Sequence, residues 1–240
     1  TALNAHAMNG RWAVSFGVPY RPPAAPHAKF PYDGPVHTIR TLCEIFRDRE
    51  FRTVLLADVW IWTFGAMLLQ AINMLAKQFG AKMEMASRLN ALEMLGLAAG
   101  GLLSVRLSRQ RHWIHFLGGA MVLAGITAAG MKGLEFMPAQ HLWSLGYALQ
   151  ILTGVFIGLV LIPCESFLQI RPPDDRKGDM LAAANFLVFA GITGGSLLMG
   201  VMLERFGAVN SIAALGVVSW PIGIWLLLYR HEETGGERND

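Results

Sequence analysis

Six mostly apolar stretches, each near the length of a bilayer-spanning helix, are the strongest constraint on the fold of this 240-residue chain. About 20 consecutive apolar residues are needed to cross the hydrocarbon core of a membrane as an α-helix. The stretches are 53–75, 85–105, 113–131, 142–170, 180–203 and 209–229, and Gly, Pro or charged residues mark each break. The runs are too long for strands. Composition agrees: 15% of residues are charged and 53% hydrophobic, against about 25% charged in a soluble domain. Too few charges exist to cover a soluble surface. The expected fold is therefore all-α, an integral membrane six-helix bundle.

Three small-residue pairs spaced by four support close packing: Gly96 and Gly100, Gly154 and Gly158, and Gly191 and Gly195. Each pair lies on one helix face and allows a neighbouring backbone to approach. Pro163 falls inside the fourth stretch, where a break or kink is expected. Residues 1–52 read as a Pro-rich linker followed by an interfacial amphipathic helix over 38–51, with Ile39, Leu42, Ile45 and Phe46 at helical spacing. Residues 53–230 form the bundle and 231–240 a cytoplasmic tail.

Of the 20 Lys and Arg residues, fifteen fall on the side shared by both termini and five on the other. Basic residues accumulate on cytoplasmic loops, so both termini are expected in the cytoplasm. The net charge of +3 has the same origin, and no basic-aromatic stripe speaks for nucleic acid. Cys43 and Cys164 supply neither a disulfide framework nor metal-ligand spacing. His112 and His115 are too few for a metal site. No nucleophile elbow, phosphate-cradling loop or paired-cysteine motif occurs, so neither enzyme activity nor a cofactor is expected.

Ionisable and amide side chains inside apolar stretches point to function, because burying them in a membrane is costly. The candidates for substrate contact are Asp58, Gln70, Asn73, Asn90, Glu93 and Asn185. Asn90 and Glu93 are three apart and share a face. Each has a plainer alternative: Asp58 reaching the interface or pairing with Arg52, Gln70 and Asn73 packing, Asn90 and Glu93 hydrogen-bonding between helices, and Asn185 capping or bridging helices.

The segment Gly101-Leu102-Leu103-Ser104-Val105-Arg106-Leu107-Ser108-Arg109-Gln110-Arg111 resembles the cytoplasmic signature loop of the major facilitator superfamily, Gly-x-Leu-x-Asp-Arg-x-Gly-Arg-x-Arg. Val105 stands where the family has Asp, and Ser108 where it has Gly. Such erosion is typical of the second copy of the loop, so the resemblance implies the C-terminal half, spans seven to twelve. A second region is similar to the lysophospholipid transporter branch of that superfamily. It comprises Ile162-Pro163-Cys164-Glu165 with Leu168-Gln169, the charged loop through Lys177-Gly178, and Ala182-Ala183-Ala184-Asn185. Glu165 replaces the Asn of the branch pattern. Residues 1–18 then correspond to a remnant of span six, and the opening at Thr1 without methionine fits a longer chain.

The resemblance implies alternating-access transport of a lysophospholipid or similar amphiphile in the bacterial inner membrane. The implied partners are the lipid bilayer and an N-terminal six-helix half. The different-class alternative is a non-transporting accessory subunit packed against other membrane subunits. Arg106, Arg109, Arg111, Glu165 and Arg171 are the candidates for a cytoplasmic gate. Glu165 is expected to pair with Arg106 or Arg171.

Overall fold

The computed structural model describes residues 33–107 and 113–229. All regular structure among these residues is helical. Helix α1 spans Gly34–Arg47, α2 Arg49–Gln78, α3 Met83–Leu107, α4 Trp113–Gly130, α5 Ala139–Ile170 and α6 Lys177–Leu227. A short 3-10 helix, Met131–Phe136, continues from α4. The chain divides into two units after Pro35, and the helical bundle belongs to the second, from Val36 onward.

The amphipathic helix expected over 38–51 ends earlier, at Arg47. The reason is Asp48. Its backbone is extended, and its Oδ1 accepts a hydrogen bond from the Phe51 amide at 3.0 Å, so a new helix starts there.

Among the described residues, four helices are long and apolar enough to cross a membrane: Arg49–Gln78, Trp113–Phe136, Gln140–Ile170 and Lys177–Leu227. This differs from six separate spans for two reasons. The stretch 85–105 does form α3, but Glu84, Arg88, Asn90, Glu93 and Arg106 dilute its hydropathy. The stretches 180–203 and 209–229 share the 51-residue α6. At 1.5 Å per residue, α6 would be about 76 Å long if straight, more than twice the hydrocarbon core. It is broken at Gly207, whose φ of 74° lies in the left-handed region. The break exposes backbone donors at the start of the second limb, and the Gln78 side chain accepts the Ala208 amide at 2.8 Å. Pro163 does not interrupt α5, which runs through it continuously. A proline inside a helix removes a single backbone bond, and neighbouring helices make that loss tolerable in a packed bundle.

The helices interlock through glycine. A Cβ on Gly96 or Gly100 would strike the carbonyls of Ile151 or Val155, and one on Gly154 or Gly158 the carbonyls of Glu93 or Leu97. Two of the expected pairs therefore face each other along the α3–α5 seam. The third pair packs Gly191 and Gly195 of α6 against Val59, Thr63 and Met67 of α2. A third seam has a different period. Gly118 and Gly125 of α4 meet Gly223 and Gly216 of α6, with ideal Cβ positions 2.6 Å and 2.5 Å from the facing carbonyls. Thr153 of α5 bonds to Thr127 of α4 at 2.8 Å, tying those helices together.

Candidate functional site

Helices α2, α3, α5 and α6 line a partly open cavity of about 250 Å³. Its wall is apolar, with Ile61, Leu69, Met94, Leu161 and Ile192 among the lining side chains. Two residues break that character, Trp62 and Glu93.

Glu93 is 2% exposed. Its carboxylate accepts a hydrogen bond from Gln150 Nε2 at 2.6 Å, and Gln150 is fully buried. The glycine seam produces this bond: Gly154, one turn beyond Gln150, lets α5 touch the backbone of α3 at Glu93 itself. Gln150 was not among the candidates from sequence. Its signal was there, as the one amide within the apolar run from Leu142 to Leu168.

A second carboxylate group lies where α2 and α5 meet. Trp62 donates its indole N–H to Glu165 Oε1 at 3.0 Å. Asp58, one turn before Trp62, is 1% exposed, and its buried Oδ1 has no hydrogen-bond partner. Asp58, Glu165 and the fully buried Cys164 thiol lie within electrostatic reach of one another. Asp58 is not paired with Arg52, whose guanidinium donates to the Phe46 carbonyl at 3.0 Å. Glu165 takes its bond from Trp62 and not from an arginine, because Arg171 is engaged with Asp48 at 2.8 Å.

The remaining candidates disperse. Asn90 donates to Asn73 at 3.4 Å, bridging α3 to α2, so its amide serves a different contact from that of Glu93. Gln70 is half-buried on α2, with Oε1 unpartnered. Asn185 is exposed on the outer face of α6 with Ala182 and Phe189, apart from the cavity. Arg106 is exposed at the end of α3, while Arg109, Arg111 and His112 lie outside the described residues. Cys43 and Cys164 are both free thiols. No group of three His, Cys, Asp or Glu residues able to hold a metal occurs among the described residues.

One charged arrangement has no counterpart among the sequence motifs. His37 and Glu44 of α1, with Asp48 just after it, recur at helical spacing and meet Asp179, Arg176 and Arg171 in antiparallel order. Glu44–Arg176 and Asp48–Arg171 join α1 and its end to the connection between α5 and α6, and His37 lies 3.8 Å from Asp179 in the first turn of α6, an ion pair when the imidazole is protonated.

No protein-family model, curated protein or solved structure matches the chain.

Proposed function

We propose that this chain is the C-terminal six-helix half of a major-facilitator-type transporter that moves an amphiphile of the lysophospholipid kind by alternating access. In this reading the two limbs of α6 cross the membrane separately on either side of Gly207, and α3 crosses beside α5. Each limb has the length for one crossing. The observation that carries the reading is the apolar cavity among α2, α3, α5 and α6, with Glu93 and Trp62 in its wall. An acyl chain fits such a wall. A buried carboxylate and an indole give a polar or cationic head group something to recognise. Both ends of the chain lie on the cytoplasmic side of the bacterial inner membrane.

The test is translocation of a fluorescent lysophospholipid across proteoliposomes containing the purified protein, wild type against Glu93→Gln. The expected result is translocation above empty vesicles that falls at least tenfold in the variant. Absence of translocation, with stable co-purification of other membrane subunits, would move the chain to the accessory-subunit reading.

A further inference from the structure

We propose that the outward face of α1 binds anionic phospholipid of the surrounding bilayer, with Val36, Ile39 and Cys43 against the acyl boundary and Arg40 and Arg47 on lipid phosphates. The surface is separate from the cavity and does not depend on whether or what the protein carries.

Helix α1 runs along the rim of the bundle. Asp48 separates it from α2, and the pairs Glu44–Arg176 and Asp48–Arg171 attach it to the α5–α6 connection. The next residue, Arg49, opens the apolar helix Arg49–Gln78, which is long enough to cross a membrane. Helix α1 therefore sits at the level where that helix leaves the hydrocarbon.

The inner side of α1 is occupied. Thr41 and Ile45 are buried, and Leu42 and Phe46 pack against the core. Its acidic side chain, Glu44, is engaged by Arg176. The outer side is free. At 3.6 residues per turn, Ile39, Cys43, Val36, Arg47 and Arg40 follow one another, in that order, around an arc of about 100°. Val36 is 58% and Ile39 61% exposed, and Cys43, Arg40 and Arg47 are exposed as well. Neither arginine has an ion pair or hydrogen bond among the described residues.

The order around the arc selects the occupant. Its apolar end adjoins Leu42 and Phe46, so the buried side of α1 grades into Ile39 and Cys43 without a polar break. Its basic end adjoins Glu44 and the row of ion pairs. An apolar flank beside a basic one matches the boundary between acyl chains and headgroups. Guanidinium groups take phosphate oxygens through paired hydrogen bonds. The two arginines are seven residues apart, about 10 Å along the helix, so each can hold its own headgroup. The exposed acidic residues Asp174 and Asp175 belong to the connection, across the row of ion pairs from Ile39 and Cys43, and do not interrupt the arc. A zwitterionic lipid sets an ammonium beside its phosphate and gains less from the arginines, which makes the preference one for net negative charge.

The protein carries its own reporter for the test. Of its two cysteines Cys43 is exposed and Cys164 buried, so a thiol-reactive fluorophore reads the arc directly. The full protein, labelled at Cys43, is placed in bilayers containing brominated phosphatidylglycerol or, at the same mole fraction, brominated phosphatidylcholine. No substrate is involved, so failure here is distinguishable from failure of the transport reading. The anionic lipid should quench more strongly. Arg40→Gln and Arg47→Gln should each lower its advantage about fivefold, and 1 M salt should remove it. The double change to Lys should keep most of it, which separates charge from packing. Equal quenching by the two lipids, or an advantage that survives loss of both arginines, would overturn the proposal. Quenching by aqueous iodide and not by lipid would overturn it by turning the face to water. Protection from both quenchers would overturn it by placing a protein partner there.

Discussion

The carboxylates at the rim and those inside the bundle are held in opposite ways. At the rim, Glu44, Asp48 and Asp179 each face a basic side chain, and all six side chains are more than a third exposed. Inside, Asp58 and Glu93 are almost completely enclosed, and neither faces a cation among the described residues. Water explains the difference. At the surface, solvent screens a charge pair and makes it inexpensive to form, with each pair contributing about 0–1 kcal/mol. In a dry interior a lone carboxylate is expensive unless neutral donors or a proton accompany it. The rim pairs therefore locate α1 and the α5–α6 connection without storing much energy, and the interior groups are where a substitution should tell most.

The largest effect is expected from the contact that creates an interior bond. Gly154→Val would drive a side chain into the Glu93 carbonyl and separate α3 from α5. Overpacking of a close seam is worth about 1–3 kcal/mol, and the upper end is expected because the obstacle is backbone. Unfolding in detergent would measure it. A loss below half a kcal/mol would mean that the seam yields easily and that the Glu93–Gln150 bond is not set by glycine.

Next in size is Gln150→Leu, which leaves Glu93 enclosed with no donor. A loss of about 1–3 kcal/mol is expected, the desolvation of an unsatisfied group. The double variant Glu93→Leu with Gln150→Leu should regain most of it, since removing both partners leaves nothing to satisfy. A double variant as unstable as Gln150→Leu would show that the amide packs and does not compensate a carboxylate.

The division between rim and interior also explains what could be read from the sequence. Glu93 and Asp58 stood out because a charge interrupting an apolar run is conspicuous whatever its partners. The α3–α5 seam was legible in the four-residue spacing of its glycines. Gly118 and Gly125 escaped because seven residues is two turns, a spacing that matters only once the facing Gly216 and Gly223 are known. Gln150 escaped for a related reason: its importance lies in Glu93, 57 residues away. The rim pairs join residues more than 120 positions apart, and every surface helix carries charges, so nothing local distinguishes those that meet. The pairing expected between Glu165 and Arg106 or Arg171 gives way to other partners. Asp48 holds the arginine at the rim, and Trp62 supplies the donor to Glu165.

The smallest effects separate the two functions of Asp48, where rim electrostatics meets helix initiation. Its Oδ1 caps α2 through the Phe51 amide at 3.0 Å, and its Oδ2 meets Arg171 at 2.8 Å. Asp48→Ala removes both and should cost about 1 kcal/mol, most of it from the cap. Asp48→Asn retains a capping oxygen and removes only the charge, so it should cost a few tenths, as should Arg171→Gln. Raising salt from 0.1 to 1 M shortens the screening length from about 10 Å to about 3 Å. The penalty of Arg171→Gln should then disappear, while that of Asp48→Ala persists. If the Asp48→Asn penalty instead equalled that of Asp48→Ala and vanished in salt, the ion pair would be holding α1 in place. The rim would then be an energetic element of the fold, and the contrast with the interior would fail at this residue.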